Sequence, residues 1–378
     1  MRVSRRGDVD PFIVMDFMEA ARREEAQGKK IIHMEVGQPG TPAPRRAIDT
    51  LARQMSSGPL GYTVALGLPE LRKRIAGLYQ AWYGLSLDPA RVVVTSGSSA
   101  GFILAFTSLF DAGDRVAIGE PGYPSYRNIL HALDLQPVGI QTSVENRFQP
   151  VAGELTDDMQ GILVASPANP TGTMLDRTAL AGLIEASKAR GMAFISDEIY
   201  HGIQYGKRAV SALEIQDDVY VINSFSKYFS MTGWRIGWMV VPEDHVRRIE
   251  RIAQNMFICP PHASQVAALA ALDATDELEQ NVEVYARNRE TLLAELPGAG
   301  FDRLAPPDGA FYLYADVSDH TDNAEVFARA MLREAGVAVA PGVDFDPHRG
   351  HQTIRLSYAG SHADMIEAVK RIGNWLKG

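Results

Sequence analysis

Lys227 closes the run Ser224-Phe225-Ser226-Lys227, with Arg235 eight residues further on. The apolar stretch Val219-Tyr220-Val221-Ile222 ahead of it reads as a buried strand, so Lys227 falls just past a strand end, where open α/β sheets hold their ligands. An amine attacks a carbonyl only when deprotonated. Partial desolvation and a neighbouring cation such as Arg235 lower a lysine pKa toward neutrality. Two serine hydroxyls and a guanidinium are also what a phosphate needs. Taken alone, so short a motif more often marks a surface lysine in a serine-rich turn, and the rest of the chain has to decide.

Four other polar loops follow apolar runs in the same way. The run at 92–94 leads into Thr95-Ser96-Gly97-Ser98-Ser99 and a helix beginning near Ala100; 115–118 leads into Glu120-Pro121-Gly122-Tyr123-Pro124. The run at 162–165 leads into Ser166-Pro167-Ala168-Asn169-Pro170, and 193–196 into Asp197-Glu198-Ile199-Tyr200. A helix is predicted over 177–190, with Asp176 as N-cap, Leu180, Leu183 and Ile184 as its buried face and Gly191 as its terminator. Strands apolar on both faces and separated by helices indicate an α/β fold with a mostly parallel sheet covered on both sides. All these loops then share one edge of that sheet.

The ends of the chain read differently. Residues 12–27 carry apolar residues at helical spacing up to Gly28, and an extended piece at 31–36 runs into the loop Gly37-Gln38-Pro39-Gly40. Beyond about 275, Leu278, Val282, Tyr285, Leu292 and Leu296 mark a long amphipathic helix ending near Pro297-Gly298. Strand-like runs at 311–314, 337–340 and 353–357 precede a last helix opened by Ser361 and striped by Met365, Val369, Ile372 and Leu376. The expected organisation is a large domain over 45–275 and a smaller α+β domain made of 1–44 with 276–378.

Composition narrows the partners. The 378 residues are 46% hydrophobic and 22% charged, the balance of an ordinary globular protein, and the net charge of −9 with no Lys/Arg block argues against a nucleic-acid binder. Cys259 is the only cysteine, so no intrachain disulfide forms. The histidines show no metal-ligand spacing, and no apolar run approaches a signal peptide or a membrane span. Small metabolites are the expected partners, the cytoplasm the expected location, and no metal is implied.

Read together, the loops resemble one family, the class I/II aminotransferases, which are pyridoxal-5'-phosphate enzymes of fold type I. The resemblance spans nearly the whole chain, from Val36-Gly37-Gln38-Pro39-Gly40 to Arg355-Leu356-Ser357-Tyr358. It implies a large domain with a seven-stranded-type sheet. Lys227 matches the Schiff-base lysine, which both anchors the cofactor and moves the α-proton. Asp197 matches the carboxylate that keeps the pyridine nitrogen protonated, although on its own it reads as a helix N-cap. Tyr200 and Asn169 match the partners of the cofactor's 3'-oxygen, and Tyr123 the aromatic stacked on the ring. Gly97, Ser98, Ser99, Ser224 and Arg235 match the phosphate cup. Arg355 matches the arginine that grips the substrate carboxylate, and Gly37 lies in the loop over the substrate. Tyr62 matches a tyrosine that reaches the neighbouring subunit's cofactor phosphate, which implies a homodimer with a shared site.

The reaction so implied is ping-pong transfer of an amino group from an L-amino acid to a 2-oxo acid. A carbon-sulfur β-lyase or an aminocyclopropane-carboxylate synthase would use the same residues, and a non-catalytic regulator on this fold is a more distant alternative. Some aspartate-specific relatives place a lysine near the phosphate loop, where this chain reads Ser98-Ser99-Ala100. This departure tilts against aspartate. Phe12, Ile13, Phe257 and Ile258 either form an apolar pocket for neutral or aromatic side chains or belong to the core.

Overall fold

Short runs rich in β-branched residues become strands, and in the computed structural model, which describes residues 1–378, they sort into two main sheets. The chain opens with helix α1 (Ile13–Ala26), which stops ahead of Gly28, and strand β1 (Ile32–His33). Helices α2 (Arg45–Ser57) and α3 (Pro69–Tyr83) lead to β2 (Val92–Thr95), α4 (Ser98–Leu109), β3 (Arg115–Glu120), α5 (Pro124–Ala132) and β4 (Gln136–Gln141). Then come β5 (Gly161–Ala165), α6 (Arg177–Ala189), β6 (Ala193–Asp197), β7 (Tyr220–Ser224) and β8 (Gly237–Val240). Strands β2 to β8 form a seven-stranded sheet ordered β2-β8-β7-β6-β5-β3-β4, in which only β8 runs antiparallel to its neighbours.

Both faces of this sheet are covered. Val93, Leu163, Ile195 and Ile222 pack beneath Phe102 and Phe106 of α4, while Val92, Val94, Val164 and Val221 join the larger cluster on the opposite face. α6 begins as predicted, with Asp176 Oδ1 accepting the Ala179 N–H at 2.9 Å, and Gly191 (φ 67°) ends it.

Helices α7 (Val246–Met256), α8 (His262–Ala271) and α9 (Thr275–Ala299) connect to the second sheet. There follow β9 (Arg303–Leu304), β10 (Tyr312–Asp316), α10 (Ala324–Ala330), β11 (Val337–Ala338), β12 (Ala340–Pro341), β13 (Thr353–Ser357) and α11 (His362–Lys377). Strands β12-β13-β10-β9 form an antiparallel sheet, and β1 pairs in parallel with β11. The large cluster runs without a break from Val92 and Val164 to Leu313, Ile354 and Leu356, so one core joins the two sheets.

Three expectations need correction. The run at 337–340 is not one strand: β11 pairs with β1 and β12 with β13. α9 continues through Pro297 to Ala299, since the missing N–H removes one bond from a last turn that Gly300 (φ 115°) then closes. Only Ile32–His33 of the extended piece at 31–36 is a strand. No helix is long and apolar enough to cross a membrane.

Candidate active site

The carboxyl edge of the seven-stranded sheet collects the loops singled out in the sequence. The turn after β7 carries Lys227, whose Nζ donates to the Gly37 carbonyl at 2.6 Å and lies 5.6 Å from the centre of the Tyr200 ring. Protein atoms crowd this amine, and burial pulls its pKa down to about 7; the Arg355 and Arg235 charges add to the effect and Asp197 opposes it. A substantial fraction of Lys227 is therefore a neutral nucleophile near neutral pH.

Asp197, the last residue of β6, is buried beside it. Its Oδ2 accepts from the Tyr126 hydroxyl and its Oδ1 from the Ile199 N–H at 3.1 Å. Burial raises this carboxyl to about 6, held back first by the Tyr126 hydrogen bond and then by the Ile199 N–H and Lys227. No helix follows Asp197, so the capping alternative does not apply.

Gly97 (φ 79°) turns the chain from β2 into α4, whose first residues Ser98 and Ser99 line the cavity. A Cβ on Gly97 would stand 2.6 Å from Nη2 of Arg235. That guanidinium comes from a left-handed residue (φ 51°) and donates to the Thr232 carbonyl at 3.0 Å. A helix N-terminus, hydroxyls and a cation thus converge on one end of the cavity. The same cavity is lined by Arg355 on β13, buried, with Nη1 donating to Asn169 Oδ1 at 2.9 Å and Nη2 to the Glu35 carbonyl. Its guanidinium lies 4.4 Å from the Tyr312 ring centre and 4.7 Å from that of Phe345.

The structure brings Gly37, Ser98, Ser99, Tyr123, Asn169, Tyr200, Lys227, Arg235 and Arg355 to one cavity, with Asp197 and Gly97 directly behind its wall. Ser224 is buried away from it, its Oγ donating to Ser226 Oγ at 2.9 Å; Ser226 lines the cavity instead. Tyr62 is 84% exposed and stands outside the cavity of its own chain. Of the four apolar candidates only Phe12 is a wall. Ile258 is exposed and Phe257 packs against the core beside α4 and α7.

Sequence reading missed Tyr126, Tyr312, Val14, Met15, Val36 and Ile199 among the lining residues. Tyr312 hydrogen-bonds the Tyr200 hydroxyl at 2.7 Å and fills the space in which a side chain at Gly37 would stand. The only signal for it was its place in an apolar run, which gives no direction.

An amine of depressed pKa, a buried carboxylate and an anion-binding helix start fit pyridoxal phosphate: Lys227 for its aldehyde, Asp197 for its ring nitrogen, and Gly97 to Ser99 with Arg235 for its phosphate. Comparison with known proteins agrees. A family model of class I and II aminotransferases matches residues 29–372. A Mycobacterium tuberculosis valine–pyruvate aminotransferase is 47% identical over 99% of this chain and 98% of its own length. A (5-formylfuran-3-yl)methyl phosphate transaminase of Methanocaldococcus jannaschii is 35% identical over 97% of both chains. A solved structure from Silicibacter pomeroyi superposes over all of both chains with a TM-score of 0.95 and 62% identity.

Proposed function

The chain belongs to the class I and II aminotransferases and moves amino groups between amino acids and 2-oxo acids with pyridoxal phosphate; from that premise we propose that its preferred donor is a neutral aliphatic L-amino acid and its acceptor a monocarboxylic 2-oxo acid. One observation carries this reading. The cations lining the cavity are Lys227, Arg235 and Arg355, and each has a task in holding the cofactor or the substrate's α-carboxylate. The remaining walls include Phe12, Val14, Met15, Val36 and Ile199, which offer a second carboxylate no counter-charge. The valine and pyruvate in the name of the Mycobacterium tuberculosis relative support the same class. The carbon-sulfur lyase alternative is not favoured, since the relatives are aminotransferases.

When bound, pyridoxal phosphate supplies an aldehyde for the amine and a ring that accepts electrons from the substrate's Cα. In our reading Ser98, Ser99, Ser226, Arg235 and the α4 N–H groups would hold the phosphate, with Ser224 acting through its bond to Ser226. Tyr123 would face the ring, and Asn169 and Tyr200 its 3'-oxygen. Asp197 would keep a proton on the ring nitrogen. Arg355, stacked and hydrogen-bonded, orients the substrate carboxylate. Lys227 Nζ, with a substantial neutral fraction near pH 7, would be the base that takes the Cα proton and the acid that returns it.

The same reading divides the chain into a large domain over 45–275 and a small one of 1–44 with 276–378, which the separate sheets support. It makes the enzyme a homodimer in which exposed Tyr62 reaches the partner's phosphate site. The single cysteine, Cys259, supports a cytoplasmic location.

A panel of amino donors with pyruvate and 2-oxoglutarate tests the substrate class. Valine and its aliphatic neighbours are expected to exceed aspartate by at least about tenfold in kcat/KM, the scale of one uncompensated buried charge. Preference for aspartate would overturn it.

A further inference from the structure

Helix α1 begins without a cap of its own. Phe12 occupies its N-cap position and makes no side-chain capping bond. The first free N–H groups are met from the far end of the chain, where Asp344 Oδ1 accepts from Ile13 N and Oδ2 from Val14 N, each at 3.1 Å. Asp344 is only 2% exposed, so the carboxylate serves this helix rather than solvent.

Its neighbour Phe345 is fully buried and faces the Arg355 guanidinium at 4.7 Å. Phe345 also belongs to a small apolar cluster with Val14, Ala305, Tyr314 and Ala340, against which Phe12 and Val36 pack. Three cavity walls and the ring that backs the carboxylate clamp are therefore one packed unit. The Phe345 carbonyl accepts the Gly122 N–H at 3.0 Å, which fixes the same turn to the loop carrying Tyr123.

We propose that Asp344 is a positioning residue for substrate selection, tying the apolar wall at the start of α1 to the Arg355 clamp so that a donor's side chain and its carboxylate are measured against one frame. This rests on the substrate class proposed above, in which the α1 wall meets the donor side chain. Losing an N-cap lets the first turn fray, and a looser wall loses contact with valine's methyl groups while alanine has little to lose. Lys227, in the turn after β7, and Asp197, at the end of β6, belong to the edge of the other sheet, and the Asp344 carboxylate bonds neither of them.

The test compares Asp344→Asn and Asp344→Ala with the parent holoenzyme. The kcat/KM ratio of valine over alanine is expected to fall about fivefold in Asp344→Ala and by less in Asp344→Asn, which keeps one acceptor. The bound cofactor's absorbance and its pH midpoint should stay unchanged. A fall in parallel for all donors, as from a general loss of folded enzyme, would overturn the proposal. Hydrogen exchange on the parent protein gives an answer even if a variant does not fold: the Ile13 and Val14 amides are expected to be protected, and free exchange there would overturn the cap. If the parent prefers aspartate, the substrate class fails while the exchange result still judges Asp344.

Discussion

Removing the cofactor from the protein and returning it at a series of pH values reads the Lys227 amine. With a pKa of about 7, the amine is roughly 10% neutral at pH 6 and roughly 90% neutral at pH 8, whereas a lysine of pKa about 10.4 is about 0.4% neutral at pH 8. The reactive fraction at pH 8 is thus about 200-fold that of an ordinary lysine. Rebinding, followed by stopped-flow absorbance, should accelerate about tenfold from pH 6 to pH 8 and then level off. The same pH series with a small free amine corrects for the cofactor's own ionisations. Because the Arg355 and Arg235 charges help depress the amine and Asp197 opposes them, Arg355→Leu should move the midpoint up and Asp197→Asn should move it down. A corrected rate that still climbs tenfold per unit between pH 8 and pH 10 would refute the depressed amine and, with it, its role as the base near neutrality.

Two further outcomes follow from the geometry. Tyr126→Phe removes the hydrogen bond that does most to hold the Asp197 carboxyl down against burial, so the carboxyl's pKa rises. The carboxylate is the working form, so activity is lost at a higher pH on acidification; the acidic limb of the kcat/KM profile should shift up by about 1 unit, and an unmoved limb would reject the link. Dilution until subunits separate should abolish turnover if, as proposed, exposed Tyr62, which stands outside the cavity of its own chain, completes the partner's phosphate site; full activity of a proven monomer would reject the shared site.

Much of this site was legible because its residues sit at strand ends, where an apolar run meets a polar loop. Lys227, Asp197, Asn169 and Gly97 all announce themselves that way. What stayed hidden depends on partners brought from far along the chain. Tyr126 acts through Asp197, 71 residues away, and Tyr312 through Tyr200, 112 residues away. Arg355 is held partly by a backbone carbonyl, that of Glu35, which no residue type reveals. Ser224 and Ser226 lie two apart, and only the turn geometry decides which hydroxyl faces the cavity. β8 escaped notice because Gly237–Val240 follows an irregular turn that reverses the chain, and β4 because Pro137 and Gly139 dilute its pattern at an edge.

The split of the site between two sheets has a consequence for inheritance. Residues 97–235 supply, in one continuous stretch, the groups of the chain's own cavity assigned to the cofactor, whereas Gly37 and Arg355 come from the two ends of the chain together with Phe12 and Val14. Recombination that exchanges both ends between related genes would transplant selectivity and leave the cofactor frame whole. The seam is crossed by the bonds Lys227 to Gly37, Arg355 to Asn169 and Tyr200 to Tyr312. Those six residues are among the ones a viable chimera has to keep matched.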